Sequence, residues 1–285
     1  MENYFSVLPV SQNFNLEPGK IYEGSIKVVN PVSATQDFNY MAVVTPYSVV
    51  DEEYTADLST KSNLSQIVDW ITIDNPTGSI KPNGIAEIKF HIEVPVDAPG
   101  GGQYAAITVR SDSSKVAEGD GVSVQNYYEI ASLIYATMSG KTTHEGEVLS
   151  NSVPGFATSL PLQTSVTVNN NGNVHEQMLT RISIKNVFTG ESVFPVEDDK
   201  DTFQDVIMPG STRYVSRNLS RIPALGVFEV THDVTYLGKT YPLTQVVVTC
   251  PLWFLILVVL TVAAFIGTVA GIIHRNIRRR RLANS

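Results

Sequence analysis

Apolar residues recur at every second position through much of the first 250 residues. Ser25 to Asn30 reads SIKVVN, Phe38 to Val44 reads FNYMAVV, and Ala86 to Val94 reads AEIKFHIEV. In the last run Ile88, Phe90, Ile92 and Val94 share one face, and Glu87, Lys89, His91 and Glu93 share the other. That alternation predicts a half-buried antiparallel strand. Turn-forming residues punctuate the runs at Pro18-Gly19, Asn30-Pro31, Asn75-Pro76, Pro82-Asn83-Gly84 and Pro99-Gly100-Gly101-Gly102. Short strands separated in this way predict a β-sandwich. Outside the C-terminal segment only Ser59 to Trp70 (STKSNLSQIVDW) suits a helix, a short one on a connecting loop.

A second block repeats the grammar. Val166-Thr167-Val168-Asn169 matches Lys27 to Asn30, a strand ending in Asn before a turn. Met208 to Thr212 takes the place of Lys81 to Gly84, and Gly226 to Val230 answers Gly102 to Ala106. The chain is therefore read as all-β, with two sandwiches in tandem over 1–139 and 140–250. The boundary follows the apolar strand Ala131 to Met138. Blocks of roughly 110–140 residues are a normal size for one core each.

The C-terminal segment breaks the period. Leu252 to Ile273 is a run without a single charge, LWFLILVVLTVAAFIGTVAGII. At about 1.5 Å per residue such a helix is long enough for the ~30 Å hydrocarbon core of a bilayer. Trp253 stands at one end, where an indole favours the interface, and Arg275, Arg278, Arg279, Arg280 and Arg281 follow the other. Basic flanks stay cytoplasmic, so 251–274 is expected to cross the membrane, 275–285 to be a cytoplasmic tail and 1–250 to lie outside. The overall charge of −8 averages two unlike parts. All 28 acids precede residue 251 and five of the 20 bases follow it, leaving 15 bases against 28 acids outside.

An outside ectodomain needs an export signal. MENYFSV carries no basic stretch followed by an apolar run, so the natural start is expected upstream. The single cysteine, Cys250, allows no intrachain disulfide and is read as a small apolar filler. No LPxTG wall-sorting motif precedes the span.

Six stretches carry a family resemblance. Phe5 to Pro9 (FSVLP), Leu16 to Gly19 (LEPG) and Ile26 to Asn30 (IKVVN) resemble the opening of the WxL-interacting cell-surface proteins, of the DUF916 type. Pro82 to Pro95 (PNGIAEIKFHIEVP), Pro99 to Ile107 (PGGGQYAAI) and Ile130 to Met138 (IASLIYATM) continue the likeness, and residues 140–250 match in architecture. The resemblance implies two immunoglobulin-like domains, one membrane helix and a basic tail. It also implies a first domain associated with peptidoglycan and a second associated with a protein partner or host surface.

Chemistry is sparse. The histidines His91, His144, His175, His232 and His274 show no metal-ligand spacing. His232 falls on the apolar face of Phe228 to Tyr236 and reads as a hydrogen-bonded core residue, whereas His91 falls on a polar face and reads as solvated. Glu197-Asp198-Asp199-Lys200-Asp201 and Asp51-Glu52-Glu53 read as solvated loops without calcium-loop spacing. Gly100-Gly101-Gly102 lacks the Lys-Ser/Thr of a phosphate loop. No nucleophile elbow is present, and an acidic ectodomain repels nucleic acid. Neither an enzyme nor a cofactor is expected.

The expected function is binding: a membrane-anchored bacterial surface or adhesion protein that takes a wall polymer such as peptidoglycan, or a surface protein, as partner. The alternative is an envelope assembly factor of the pilus-chaperone kind. Polymer recognition on a sandwich uses aromatics and amides, and Gln103, Tyr104, Gln125, Asn126, Tyr127 and Tyr128 are the candidates beside Gly-rich turns or on a strand of mixed polarity.

Overall fold

In the computed structural model residues 5–50, 53–56, 62–111, 128–193, 202–219 and 221–283 are described. The chain divides into two compact units. The first comprises Met1–Glu147, Val168–Gln177 and Val206–Arg213; the second comprises Val148–Thr167, Met178–Asp205 and Tyr214–Ser285.

The first unit begins with β1 (Ser6–Leu8), β2 (Ser11–Leu16), β3 (Ile21–Val29), β4 (Phe38–Val50) and β5 (Glu53–Ala56). It continues with β6 (Ile71–Ile73), β7 (Thr77–Ile80), β8 (Ile85–Glu93), β9 (Gly101–Ser111) and β10 (Glu129–Met138). One sheet has the order β1-β3-β8-β6. The other has the order β2-β10-β9-β4-β5, with β7 also paired to β4. β1 lies antiparallel to β3 while β2 lies parallel to β10, so the start of the chain is shared between the sheets across Pro9.

The two sheets close on one core. Ile26, Val28, Ile88, Phe90 and Ile92 come from one, and Ile107, Val109, Ile134 and Met138 from the other. The alternation read in β8 is the one observed, with Ile88, Phe90, Ile92 and Val94 inside and Glu87 and Lys89 outside. Gly24 faces Phe90 across the β3–β8 pair, and a Cβ there would lie 2.2 Å from the ring Cζ. Only a glycine leaves the ring its place. The segment expected to be helical holds a 3₁₀ turn at Gln66–Asp69, while residues 59–61 lie outside the described residues. The turn is preceded by a local Ser62–Ser65 loop, closed by the bond from Ser62 N to Ser65 Oγ at 2.7 Å. Short hydroxyls that bond the backbone in this way compete with longer helices.

The remaining strands are β11 (Gly146–Ser152), β12 (Phe156–Ala157), β13 (Leu162–Asn170), β14 (Glu176–Asn186), β15 (Thr202–Ile207), β16 (Ser211–Leu219), β17 (Gly226–Tyr236), β18 (Lys239–Tyr241) and β19 (Thr244–Thr249). They form a sheet β11-β13-β16 and a sheet β12-β19-β17-β14-β15, with β18 on β17. Leu162 and Leu219 from the smaller sheet pack with Ile182, Ile184, Phe228, Val230 and Val247 from the larger. Phe228, Val230 and Val234, expected inside, are buried.

The internal repeat has a physical marker. Asn30 directly follows β3 and Asn170 ends β13; both are buried. Each donates its side-chain amide to a carbonyl just before a Pro-containing turn, Asn30 to Ile80 and Asn170 to Ile207, both at 3.0 Å. The sequence reading aligned Asn169 with Asn30; the structure shifts that match by one, to Asn170.

One helix, α1 (Leu252–Ala283), ends the chain, and its stretch Leu252–His274 is long and apolar enough to cross a membrane. A mostly-β chain with a single apolar C-terminal helix is thus what the pattern predicted and what the fold displays.

Candidate functional site

The polar face of β8 lines a concavity of about 570 Å³ on the outer side of the first sheet. Pairing with β3 sets Glu23 beside His91, Ser25 beside Lys89 and Ile21 beside Glu93. On the other flank β6 brings Thr72 opposite His91. Asp74 follows β6 and is fixed by its own N–H, which donates to the Lys89 carbonyl at 3.0 Å. Every polar member sits on the solvent side because strand side chains alternate, and the apolar alternate set is buried.

These placements put His91 between two carboxylates. Its Nδ1 lies 3.2 Å from Asp74 Oδ1 and its Nε2 lies 3.4 Å from Glu93 Oε1. The ring is only 30% exposed, so the solvated His91 read from the sequence is corrected to a half-buried, paired one. Ser25 Oγ donates to Glu87 Oε1 at 2.9 Å. Among the described residues, Glu23, Asp74, Glu87 and Glu93 line the groove with Lys89 and His91 as its bases. The field there is negative, and the groove presents closely spaced donors and acceptors on a rigid sheet. Such a surface hydrogen-bonds hydroxyl-, amide- or ammonium-bearing ligands. Among the described residues no three His, Cys, Asp or Glu groups converge to hold a metal ion.

The residues chosen from the sequence are placed differently. Gln103 and Tyr104 are buried, so neither offers the exposed contact expected of it. Gln103 Oε1 accepts from Ile67 N at 3.3 Å and its Nε2 donates to Asn63 O at 3.0 Å, tying β9 to the segment beneath it. Tyr104 belongs to an aromatic layer with Tyr47, Tyr135 and Met208 on the opposite side of the sheet from the main core. Its ring stands edge-on to Tyr135 at 6.0 Å, and its hydroxyl lies 3.4 Å from His175 Nδ1. Burial pushes the Tyr104 and Tyr135 hydroxyls well above their usual range and holds the His175 imidazole below its own. β9 is buried on both faces, which is why its run GGQYAAITV shows no alternation.

Gln125, Asn126 and Tyr127 lie outside the described residues. Tyr128, just before β10, is 37% exposed, and its carbonyl accepts from Ser111 N at 3.3 Å. Trp253 is exposed in the first turn of α1, and Arg275 and Arg278–Arg281 continue the same helix. The acidic run 197–201 lies outside the described residues. His232 is buried as expected, with Nδ1 2.5 Å from Asn151 Oδ1. The sequence reading had the polar face of β8 in view but missed the groove. Asp74, Glu23 and Ser25 join it through strand pairing, for which the chain carries no local signal.

No family model matches the chain, and no curated protein matches it. Solved structures similar to it include a chain from a chaperone–tip adhesin complex of CFA/I fimbriae biogenesis, at 13% identity and TM-score 0.40 over 87% of this chain and 100% of that one. A chain of the CsuC–CsuE chaperone–tip adhesion subunit complex of Acinetobacter baumannii shares 14% identity, at TM-score 0.40 over 85% of this chain and 98% of its own. The E. coli chaperone DraB shares 11%, at TM-score 0.39 over 86% and 97% respectively.

Proposed function

We propose that this chain is a membrane-anchored surface binding protein whose outer part takes an envelope polymer, with peptidoglycan as the first candidate, and does not turn it over. The His91 groove carries the reading. Its acid-rich, hydroxyl- and amide-compatible lining suits a glycan bearing N-acyl and ammonium groups, and it stands on paired strands rather than on a loop. The resemblance to the WxL-interacting proteins supports the same ligand class. The helix α1 supplies the anchor, with 1–250 outside and the arginines inside.

The test is sedimentation of the detergent-solubilised full chain with purified peptidoglycan. Co-sedimentation that is lost in a His91→Ala, Asp74→Asn double variant supports the reading. Release of soluble muropeptides by the pure protein would overturn the non-catalytic part of it.

A second reading, an assembly factor that pairs with a client strand, has one observation in its favour. Among the described residues, β10 pairs β9 along Glu129–Met138 but pairs β2 only from Leu133 onward, leaving Glu129 to Ser132 beyond the β2 register. An unpaired strand edge is a site for β-augmentation. Co-purification of one stoichiometric protein client, with no retention on peptidoglycan, would favour it.

A further inference from the structure

The larger sheet of the second unit ends in an apolar rung. Register sets Phe156 beside Val248 and Val248 beside Val227, and Val187 N donates to Val227 O at 3.0 Å. These four side chains lie on the outer face, since their neighbours Phe228 and Val247 fill the core. Phe156 is 50% exposed. Two loops extend the rung. In one, Asn186 Oδ1 accepts from both Phe188 N and Thr189 N, at 2.9 and 3.1 Å, and Phe188 stands at the tip, 81% exposed. In the other, Pro223-Ala224-Leu225 is held where Thr249 Oγ1 donates to Pro223 O at 2.9 Å, and Leu225 is 50% exposed.

The next rung turns mixed, with charges beside the half-exposed Val246. Lys185 faces Glu229 and Glu229 faces Val246; beyond them Ser183 faces Thr231 and Arg181 faces Asp233. The larger apolar side chains, Phe156, Phe188 and Leu225, stand at one end of the sheet face, while Val246 and Leu179 are single exposed apolar residues among polar neighbours farther along it. That end is also the one from which α1 leaves. Cys250 N donates to Ala157 O at 2.9 Å, closing the last rung, and α1 starts at Leu252. Two residues span about 7 Å at most, so the rung cannot stand far from the start of the helix.

Charge follows the same gradient. The stretches 153–161, 187–190, 221–226 and 246–250 build this end and contain none of the chain's 28 acids; their single charge is Arg221. Glu191 lies at the base of the Phe188 hairpin, where its carbonyl accepts from Asn186 N. An anionic membrane surface repels acids, whereas an interfacial surface favours aromatic and aliphatic side chains beside a base.

We propose that this end of the second unit rests on the lipid bilayer, with Phe188, Leu225, Phe156 and Val248 inserted at the headgroup level. The proposal rests on the reading of α1 as a membrane span, and it adds a second, peripheral contact to that anchor. The second unit would then rest on the membrane rather than swing above it.

The test places an environment-sensitive fluorophore (NBD) on a single cysteine in the full chain, with Cys250→Ser removing the native thiol. Phe188→Cys and Leu225→Cys probe the end. Lys239→Cys is the control, since it follows the far end of β17, some 33 Å away at ~3.3 Å per residue. The chain is reconstituted in phosphatidylcholine–phosphatidylglycerol vesicles carrying shallow spin-labelled lipid. Labels at 188 and 225 should be blue-shifted and quenched roughly twofold or more relative to 239, as interfacial burial requires.

Equal, solvent-like emission at all three positions, in chain that resists alkaline extraction, would overturn the docking and leave the anchor standing. Chain extracted by alkali would bring down the anchor and the proposal together. A blue shift without lipid quenching, lost when each nanodisc holds one copy, would show that a second copy covers this face and would also overturn it.

Discussion

Asn170 donates its side-chain amide to the carbonyl of Ile207 at 3.0 Å, the bond that Asn30 makes to Ile80. Each also donates a second time, Asn170 to Val174 O at 2.8 Å and Asn30 to Gln36 O at 3.1 Å. One residue in each repeat thus satisfies carbonyls that would otherwise be stranded at the end of a sheet. Asn170 does more, because its Oδ1 accepts from Gly172 N at 2.9 Å.

Replacing either asparagine with alanine leaves those carbonyls unpaired and should cost about 1–3 kcal/mol, with Asn170→Ala at the upper end. Asn→Asp should cost more, since it replaces the amide donor with a carboxylate acceptor that faces carbonyl acceptors. Denaturant unfolding of the solubilised chain reads both; an Asn170→Ala variant as stable as the parent would contradict the assignment.

Gly24→Ala drives a methyl into the Phe90 ring. Overpacking of this kind costs roughly 1–3 kcal/mol. Adding Phe90→Leu should recover part of that loss, so the double variant should be less destabilised than the sum of the singles. Additive effects would mean that the two positions do not meet.

His232 and His175 are held below the usual imidazole value of 6.5 by burial, an effect that Asp233 partly opposes at His232. The unfolded chain therefore takes up protons that the folded chain refuses. Stability is full above about pH 6.5 and should fall as pH drops through that value. His232→Gln keeps a side chain that hydrogen-bonds Asn151 without titrating, and should flatten the slope between roughly pH 7.5 and 5.5. An unchanged slope would assign the effect elsewhere.

Asp74→Asn and Glu93→Gln remove the carboxylate partners of His91 on an exposed face. Such pairs contribute about 0–1 kcal/mol, so the thermal midpoint should barely move. Retention on peptidoglycan should fall severalfold if the groove is the site. A full retention profile would move the ligand elsewhere on the molecule.

Neutralising Arg275 and Arg278–Arg281 together should weaken the orientation that places the tail inside, since basic flanks set the sidedness of a single span. Protease added to intact cells should remove the ectodomain of the parent and spare its tail. The reverse pattern in the parent would invert the proposed topology.

The face of β8 was legible because one side is core and the other water, so polarity alternates with the pleat. β9 was not legible in the same way. Its second face is covered by the Tyr47, Tyr104 and Tyr135 layer, which erases alternation and made Gln103 and Tyr104 look like surface residues beside a Gly-rich turn. The misaligned asparagine was recoverable: Ile26, Val28 and Asn30 keep period two, as do Val166, Val168 and Asn170, whereas Asn169 breaks it. The groove needed the partners of β8, and long-range pairing leaves no trace in a local pattern.

The division of the N-terminal segment across Pro9 also has a consequence in time. Ser132 Oγ donates to Pro9 O across a separation of 123 residues, and among the described strands β2 is joined to its sheet through β10. Synthesis proceeds from the N-terminus, so β1 can pair with β3 early, whereas β2 must wait for nearly half the chain before its partner β10 exists. Loop closure over that separation is entropically costly, so this seam is expected to form late.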